Sequence, residues 1–270
     1  MWKVSPVALV FLCLVPNLAR SVEIKNVRST YGPYGAVRAD KKIMGGDFIF
    51  LMFDIEGLKV DPKNGLARYE IAYKLVDNRG KEVVGVSKKT PQEINLPLGG
   101  DRVPGELALI IGPEQAPGNY KVNLTVTDRN AKESKNTEYA FEIVRPAFGF
   151  MNVLVHAGGV PGQLVKANFG ISKMTLDKKQ APNVEVTMRI LDDAGKDLGP
   201  PIKKRYPRDL PDGINLQTNN FVQEYFSIYL NRPGRFTIAL DANDKNGKHQ
   251  VSVRIPLIVF DLSKLAIEPK

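Results

Sequence analysis

The sequence has almost no cysteine, and this scarcity excludes several kinds of chemistry. Its single cysteine, Cys13, lies within an apolar segment close to the N-terminus. A lone thiol cannot form the inter-sheet disulfide of antibody domains, and a chain that loses this segment has no thiolate chemistry at all. Each folded domain must then be stabilised by its hydrophobic core alone, which is feasible for a domain of roughly 100 residues.

Histidine is nearly as scarce, since His156 and His249 are the only two. Neither has acidic or thiol neighbours at metal-ligand spacing, so neither a zinc site nor a Ser-His-Asp triad is indicated, and we expect both at strand ends or on the surface. The sequence contains no G-x-S-x-G, P-loop or dinucleotide-binding motif. Asp192 and Asp193 could form a carboxylate pair, but neighbours on a strand end face opposite ways, which favours a turn. We therefore predict no catalytic residues and no enzyme activity.

The N-terminal segment is apolar but short. Residues 7–15 are apolar, Lys3 precedes them, and Pro16 and Ala19 follow as a break and a small cleavage-site residue. This order is typical of a secretory signal peptide, which we assign to residues 1–20. The run is shorter than the roughly 20 residues that span a membrane. The sequence therefore predicts a secreted, periplasmic or cell-envelope protein with no transmembrane segment after cleavage.

Two other interpretations of this segment stay open. It could be a buried first strand, although Trp2 to Val15 has no counterpart in the internal repeat. Cys13 could be lipidated, although the bulky Leu12 stands where a small residue belongs. Under the favoured interpretation the mature chain loses its only cysteine and its only tryptophan, and export argues against a nucleic-acid partner.

The sequence does contain a long internal repeat. Residues 117–128 read Pro-Gly-Asn-Tyr-Lys-Val-Asn-Leu-Thr-Val-Thr-Asp, and residues 233–244, 116 positions later, read Pro-Gly-Arg-Phe-Thr-Ile-Ala-Leu-Asp-Ala-Asn-Asp. Apolar and polar residues alternate in both, as in strands with one buried face. A repeat of this length corresponds to one sandwich domain of about seven strands. We predict an all-β chain of two tandem immunoglobulin-like β-sandwich domains, 21–145 and 146–270, after the signal peptide.

Turn signals separate the predicted strands. Residues 77–80 and 192–195 begin with Asp, which accepts backbone hydrogen bonds, and end with Gly, which allows a positive φ. Residues 128–131 and 244–247 resemble these turns. The linker at 145–149 is too short to be a flexible tether, so we expect the two domains to touch. The strands predicted for the first domain are 22–28, 47–57, 68–76, 81–88, 106–111, 119–127 and 137–144. Those predicted for the second are 150–156, 163–171, 183–191, 201–206, 221–230, 235–243 and 248–259.

The repeated Pro-Gly-aromatic strand resembles the penultimate strand of bacterial immunoglobulin-like, fibronectin-III-like and PKD-like domains. In those domains the aromatic residue near the strand start packs at the sandwich corner, and Tyr120 and Phe236 match that position. Over nearly the whole mature chain, the order of the Asp-x-x-Gly-Lys turn, this strand, the 145–149 linker and residues 231–237 resembles a group of uncharacterised secreted proteins of planctomycete-type bacteria. The resemblance implies a fold and a compartment, and it carries no activity or site residues.

The net charge of +9 comes partly from short basic clusters, of which residues 203–208 are the densest. Such a cluster can bind an anionic polysaccharide, cell-wall polymer or lipid headgroup. A solvated loop that aids solubility is the alternative. The candidate anionic-ligand contacts are Lys203, Lys204, Arg205, Tyr206 and Arg208. The rings that could stack on sugars, or else pack in the core or rim, are Tyr31, Tyr34, Tyr206, Phe221, Tyr225 and Tyr229.

A weak calcium motif follows the second Pro-Gly-aromatic strand. Asp241, Asn243 and Asp244 provide oxygen atoms of the kind that calcium prefers. Lys245 stands at a ligand position, however, and no Glu closes the loop as it does in an EF-hand. The hairpin turn is therefore the favoured interpretation, and we expect no cofactor.

Together these observations predict an exported, non-catalytic tandem β-sandwich protein. It would serve as a structural or protein-binding module of the cell envelope or extracellular matrix, with an envelope or extracellular protein as its partner. The alternative is a glycan- or anionic-polymer-binding module that uses the basic loop of the second domain to bind a polysaccharide. Specific activity is expected where the two copies differ, in the connections 89–105 and 199–220 and at the seam 145–150.

Overall fold

The computed structural model describes residues 21–83, 88–216 and 220–265. The signal peptide predicted for residues 1–20 lies outside the described residues, as does most of the second half of the strand predicted at 81–88. The strands of the first domain are β1 (Glu23–Thr30), β2 (Lys42–Met44), β3 (Phe48–Glu56), β4 (Leu66–Asp77), β5 (Lys88–Asn95), β6 (Arg102–Ile110), β7 (Gly118–Asp128) and β8 (Glu133–Val144). Those of the second are β9 (Gly149–Leu154), β10 (Gly158–Gly159), β11 (Leu164–Ser172), β12 (Val184–Leu191), β13 (Ile202–Tyr206), β14 (Phe221–Tyr229), β15 (Gly234–Asp244) and β16 (His249–Val259), before a 3₁₀ turn at Leu262–Leu265.

Each domain is a sandwich of a three-stranded and a five-stranded sheet. The first domain has the orders β1-β3-β6 and β2-β8-β7-β4-β5, and the second has β9-β11-β14 and β10-β16-β15-β12-β13. The two domains therefore have the same topology, strand for strand. This confirms the prediction of an all-β chain with two domains. Within the described ranges, no helix is both long and apolar enough to cross a bilayer.

The repeated strand forms the centre of each core, as its alternation predicts. Val122, Leu124 and Val126 of β7 are buried, and so are Ile238 and Leu240 of β15. The Pro-Gly pair that begins each strand has a backbone reason, because the two glycines adopt φ angles of +151° and +146°. Side chains rarely tolerate such angles, so glycine is required there.

The two Asp-to-Gly turns are confirmed. The Gly80 N–H donates to the Asp77 carbonyl at 3.0 Å, and the Gly195 N–H donates to the Asp192 carbonyl at 2.9 Å. Each Asp carboxylate also accepts two backbone N–H groups from its own turn. Asp192 therefore stabilises the turn, which is the role that the sequence favoured over a carboxylate pair with Asp193.

Of the strand predicted at 81–88, residues 84–87 lie outside the described residues, and at 81–83 Glu82 forms only an isolated bridge with Val76. The strand of this region is β5, at Lys88–Asn95, so much of the connection predicted at 89–105 is itself a strand. It was missed because it is polar and contains Pro91. Proline removes a backbone donor, and an edge strand such as β5 can lose one donor on its unpaired side.

The two domains touch through a loop of the first domain that packs on the second. Tyr31 and Ala36, which follow β1, are buried within the hydrophobic core of the second domain. The Val155 N–H donates to the Tyr31 carbonyl at 2.8 Å, and Gly35 forms a β-bridge with His156. A Cβ atom on Gly35 would lie only 2.3 Å from the Tyr31 carbonyl oxygen, so the close approach requires glycine. The prediction that the short linker brings the domains into contact is confirmed.

A buried ion pair lies at this contact between the domains, which we call the seam together with residues 145–150. Asp47 is 2% exposed, and its carboxylate is 3.2 Å from the Arg38 guanidinium. The carboxylate also accepts hydrogen bonds from the backbone N–H of Phe48 at 2.8 Å and from that of Asn152, in the second domain, at 2.7 Å. A buried charge needs hydrogen-bond partners, and the second domain supplies one of those of the Asp47 carboxylate.

Candidate functional site

The basic segment of the second domain is mostly strand and its cations are paired. Lys203 and Arg205 lie on the outer face of β13, and both donate to the Glu185 carboxylate, at 2.8 and 2.9 Å. The hydrogen bonds from Lys203 and then Arg205 hold the pKa of Glu185 below its ordinary value. Only Arg208 lies beyond the strand, and it is exposed.

The other two members of the segment point between the sheets. Lys204 forms an ion pair with Glu224 of β14, so it joins the edge strands of the two sheets. Tyr206 is 2% exposed and belongs to the core, and burial raises the pKa of its hydroxyl. Its hydroxyl has no hydrogen-bond partner among the described residues. The structure therefore distributes the five candidate anion contacts over two faces of the strand and the turn beyond it.

The calcium candidates are not brought together. Asp244 is fully buried and accepts backbone N–H groups from Thr175 at 2.9 Å, Asn246 at 3.1 Å and Gly247 at 3.2 Å. Burial alone would raise the pKa of Asp244, but these hydrogen bonds together hold it below its ordinary value. A carboxylate that already binds three N–H donors is a poor ligand for calcium, which requires free oxygen atoms.

Asp241 lies on the opposite face of β15 from Asp244 and has its own partners. It accepts hydrogen bonds from Ser252 at 2.6 Å, from Arg254 at 2.8 Å and from Arg189 at 2.9 Å. Burial alone would raise the pKa of Asp241, but these donors hold it below its ordinary value. In the part of the chain that the structure describes, no group of three or more His, Cys, Asp or Glu residues is arranged to hold a metal ion.

The first domain repeats the arrangement around Asp244, a buried aspartate that accepts three backbone N–H groups, which we call the aspartate corner. Asp128 is fully buried and accepts the backbone N–H groups of Lys59 at 2.6 Å, Asn130 at 2.8 Å and Ala131 at 3.0 Å. Its position is 116 residues before Asp244, and the contacts correspond one by one. The motif that suggested calcium is thus part of the scaffold of both domains.

The candidate rings divide between the core and the surface. Tyr31 and Tyr206 are buried, whereas Tyr225 is 44% and Tyr229 is 75% exposed on the outer face of β14. The Lys166 ammonium lies 4.2 Å from the centre of the Tyr225 ring.

The histidines lie at strand ends, as predicted. His156 is exposed beside the seam, and His249, also exposed, begins β16 and stacks on Phe148 with ring centres 6.3 Å apart.

A cavity of about 470 Å³ opens at the edge of the second domain, between β13 and β14. We call it the edge cavity. Its walls are mostly apolar, and its mouth carries the polar Asn231 and Arg232. The apolar walls include Met188, Ile190, Ile202, Ile228, Tyr229 and Phe236. Its volume and lining are typical of sites that bind small ligands or side chains.

The edge cavity exists because the sheets have unequal widths. Ile202 shares the inward face of β13 with Tyr206, yet it is 50% exposed, and the facing sheet has three strands against the five of its own sheet. The Lys204–Glu224 ion pair covers the next stretch of the same edge. Sequence reasoning did not find this cavity, although an apolar residue at the position of Ile202 in an otherwise basic strand was a signal for it.

A second, more polar cleft of about 600 Å³ lies between the domains. Its walls include Glu114 and Gln115 from the first domain and Asn152 and Lys173 from the second. The Asn152 side-chain oxygen is buried without a hydrogen-bond partner among the described residues, and its backbone has a φ of +52°. The cleft lies beside the seam, which is one of the places where sequence reasoning expected specific activity.

No protein-family model matches the chain, and no curated protein matches it. Solved structures align with it at low identity and low TM-score, and three of them serve as examples. Dimeric latent PorU from Porphyromonas gingivalis is 13% identical with a TM-score of 0.37, and the alignment covers 94% of this chain and 22% of that one. The C-terminal domain of the Streptococcus agalactiae AgI/II polypeptide BspA is 9% identical with a TM-score of 0.31, covering 88% and 100%. The Pseudomonas fluorescens alkylpurine DNA glycosylase AlkC, bound to DNA with an abasic-site analogue, is 16% identical with a TM-score of 0.30, covering 46% and 30%. At these TM-scores the alignments carry no argument about function.

Proposed function

We propose that this chain is an exported, non-catalytic protein of two immunoglobulin-like domains that acts as a structural or protein-binding module of the cell envelope or extracellular matrix. Export rests on the sequence of residues 1–20, which has the order of a signal peptide. Its relationship to bacterial immunoglobulin-like domains of the fibronectin-III and PKD kind, and to secreted planctomycete-type proteins, is part of the same proposal.

The observation that carries the proposal is an apolar patch around the edge cavity. Leu164, Leu198, Ile202 and Tyr229 are 48%, 41%, 50% and 75% exposed. Leu164 and Tyr229 are directly opposite each other on β11 and β14, and Tyr229 lines the cavity together with Leu198 and Ile202. Contiguous exposed apolar side chains on a water-facing surface are a common mark of a protein-binding site.

The seam supports the same proposal from another side. Tyr31 and Ala36 are buried in the second core, and the Asp47 carboxylate bonds the Asn152 backbone. Such contacts favour one relative position of the two domains, as a structural module requires. The apolar patch is then presented on a defined scaffold.

A retention experiment tests protein binding. The mature chain, residues 21–270, is immobilised, and envelope extract is cross-linked to it and quantified by mass spectrometry. We expect one protein retained in stoichiometric amount by the wild type and lost by the double variant Leu164→Ser, Tyr229→Ser. The matched control is Val60→Ser, which removes an apolar side chain that is 39% exposed on the first domain. Retention of polysaccharide only, or of no component in stoichiometric amount, would refute the proposal.

The second candidate function is binding of an anionic glycan or other anionic polymer through the second domain. Tyr225 supports it, since the Lys166 and Lys204 ammonium groups lie 4.2 and 5.8 Å from the centre of this exposed ring. Sugars stack on aromatic faces, and the lysines would attract anionic groups. Retention on a heparin resin that weakens with salt, and that is lost on neutralising Lys203 to Arg208, would favour this function over protein binding.

A further inference from the structure

Among the described residues, no strand pairs with β14 on the side that faces away from β11. Leu230 bonds toward β11 through both its N–H, to the Gln163 carbonyl at 2.9 Å, and its carbonyl, to the Gly162 N–H at 2.7 Å. The Asn220 carbonyl likewise accepts the Lys173 N–H at 3.0 Å. In an extended strand the backbone groups of alternate residues point to opposite sides.

The odd-numbered residues of this strand therefore direct their backbone groups outward. These are Tyr225, Ser227 and Tyr229 over the half of β14 nearest the edge cavity. Each offers one N–H donor and one carbonyl acceptor to a strand that would lie alongside.

Proline interrupts the corresponding edges of the first domain and is absent from those of the second. Pro104 in β6 pairs with Asp54, and Gln223 in β14 pairs with Gly170, so proline in one copy corresponds to glutamine in the other. The other edge strand of the first domain, β5, contains Pro91. Neither β13 nor β14 contains a proline. Edge prolines are a common protection against pairing with a further strand.

The edge cavity lies where an added strand would place its inward side chains. A strand beside Tyr225 to Tyr229 would extend the three-stranded sheet and cover Ile202, which is 50% exposed. Every second side chain of that strand would point between the sheets. Arg232 is the only charged residue among the described residues of the cavity wall, so the mouth favours a carboxylate.

We propose that the second domain binds an extended segment of a partner protein, which adds as a strand to β14 between Tyr225 and Tyr229. An aliphatic side chain of that segment fills the edge cavity, and an acidic residue beside it pairs with Arg232. This inference rests on the proposed protein-binding function and names the chemistry of the partner segment.

The test uses a fluorescent peptide of alternating valine and threonine with glutamate at each end, followed by anisotropy with the mature chain. We expect saturable binding that becomes about tenfold weaker for Ser227→Pro and for Ile202→Lys, which corresponds to the loss of roughly one hydrogen bond or one buried aliphatic contact. Ser227→Pro should fold, because Pro104 already occupies an outward-facing backbone position in β6. Ile202→Lys also copies the first domain, which has Lys88 at that register position.

Two controls make the test independent of folding. Ile258→Lys adds the same charge to a residue that is 37% exposed on the outer face of β16, and it should leave binding unchanged. A peptide N-methylated at every amide should not bind the wild type, because it has no N–H donor for strand pairing on either edge. Equal binding of the methylated peptide, or unchanged binding by both variants, would overturn strand addition. So would saturable binding of sodium dodecanoate without peptide binding, which would assign the cavity to an acyl chain.

The envelope protein retained in the previous experiment separates the two proposals. Retention by Ser227→Pro and Ile202→Lys at wild-type level would leave protein binding intact and reject strand addition. If the wild type retains no protein, the proposed function fails, whatever the peptide does.

Discussion

The two domains close the same corner of the sandwich in different ways. In the first, the Tyr120 hydroxyl donates to the Ala116 carbonyl at 2.8 Å and accepts the Gln115 amide at 2.7 Å, as in the tyrosine corner of immunoglobulin-like folds. In the second, Phe236 has no hydroxyl, and the Arg232 guanidinium lies 5.4 Å from its ring. The edge cavity opens at this second corner.

The edges differ in the same direction. At the register positions where the edge strand β13 of the second domain has Ile202 and Tyr206, the edge strand β5 of the first domain has Lys88 and Gln92. What the copies share is the buried aspartate corner and the topology. The difference teaches that the duplication kept the interior and changed the rim, which is where binding surfaces can change without loss of the fold.

The seam joins the two domains, and Asp47→Ala should have the largest effect on stability. It leaves the Arg38 guanidinium without its buried partner and frees the N–H of Asn152. Removing one member of a buried ion pair costs about 3–5 kcal/mol. We expect this loss in urea unfolding followed by circular dichroism, together with a separation of the two domains into distinct transitions. Glu138→Ala, at an exposed pair with Lys121, is the control, and a loss for Asp47→Ala no larger than for this control would contradict the seam's role.

The aspartate corner should matter equally to both domains. Asp128→Ala and Asp244→Ala each leave three partly buried N–H groups without their acceptor. At about 1–3 kcal/mol for an unsatisfied buried group, with relaxation around the site, we expect a loss of about 3 kcal/mol in each. Calorimetry with separate transitions would check this. If calcium raised the melting temperature of the second domain, this would favour a metal-binding role for Asp244 over the structural role that it shares with Asp128.

The tyrosine corner should separate the domains. Tyr120→Phe makes the first domain resemble the second and should cost about 1–1.5 kcal/mol, the usual net contribution of hydrogen bonds to one hydroxyl. Phe236→Tyr is the reciprocal variant, and we expect no gain because the shorter loop before it carries Arg232 over the ring. Thermal unfolding of both variants measures the difference. A gain for Phe236→Tyr equal to the loss for Tyr120→Phe would mean that the corners are equivalent.

Acid should destabilise the second domain through Asp244. Its pKa is lowered in the folded state, where hydrogen bonds outweigh the effect of burial. An unfolded aspartate titrates at a pKa of about 3.9, so the stabilisation is complete above that pH and is lost as the pH falls through the folded pKa. The melting temperatures of the wild type and of Asp244→Asn would be measured at pH values below and above about 3.9. We expect the melting temperature of the variant to depend less on pH. Parallel curves for the two proteins would contradict the assignment.

The smallest effect should come from the basic strand. Lys203→Ala removes an ion pair with Glu185 in which the lysine side chain is 40% exposed. Exposed pairs contribute little, so we expect a change in unfolding free energy of about 0.5 kcal/mol or less. Urea unfolding at low and high salt measures it. A loss above about 1 kcal/mol would mean that this strand stabilises the second domain as well as carrying charge.

The repeat made much of the fold predictable. The alternation in β7 and β15 placed Val122 and Ile238 in their cores, and the register between the copies followed from the same segments. The strand β5 was misplaced because its polar residues and Pro91 suit an edge, where burial leaves no periodic signal. The two- and three-residue strands β10 and β2 are too short to show any period at all.

The candidate sites were less predictable, because they depend on contacts between distant residues. Lys203 and Lys204 are neighbours in sequence, yet one binds Glu185 outside the sheet and the other binds Glu224 across the edge. The position of Tyr31 in the second core depends on how two domains pack, and no local pattern encodes that. Sequence reasoning expected specific activity in the connections 89–105 and 199–220 and at 145–150; the edge cavity and the cleft include residues of the last two, and activity there stays a prediction.

The insertion of Tyr31 and Ala36 into the second core also bears on synthesis. The N-terminal domain emerges first, whether from the ribosome or during export, so Tyr31 emerges well before Val155, whose N–H donates to its carbonyl. During that interval the first domain can close its own core while its apolar loop still faces water. Folding of the second domain then buries this loop, so during biogenesis the later half of the chain shields an apolar part of the earlier half from water.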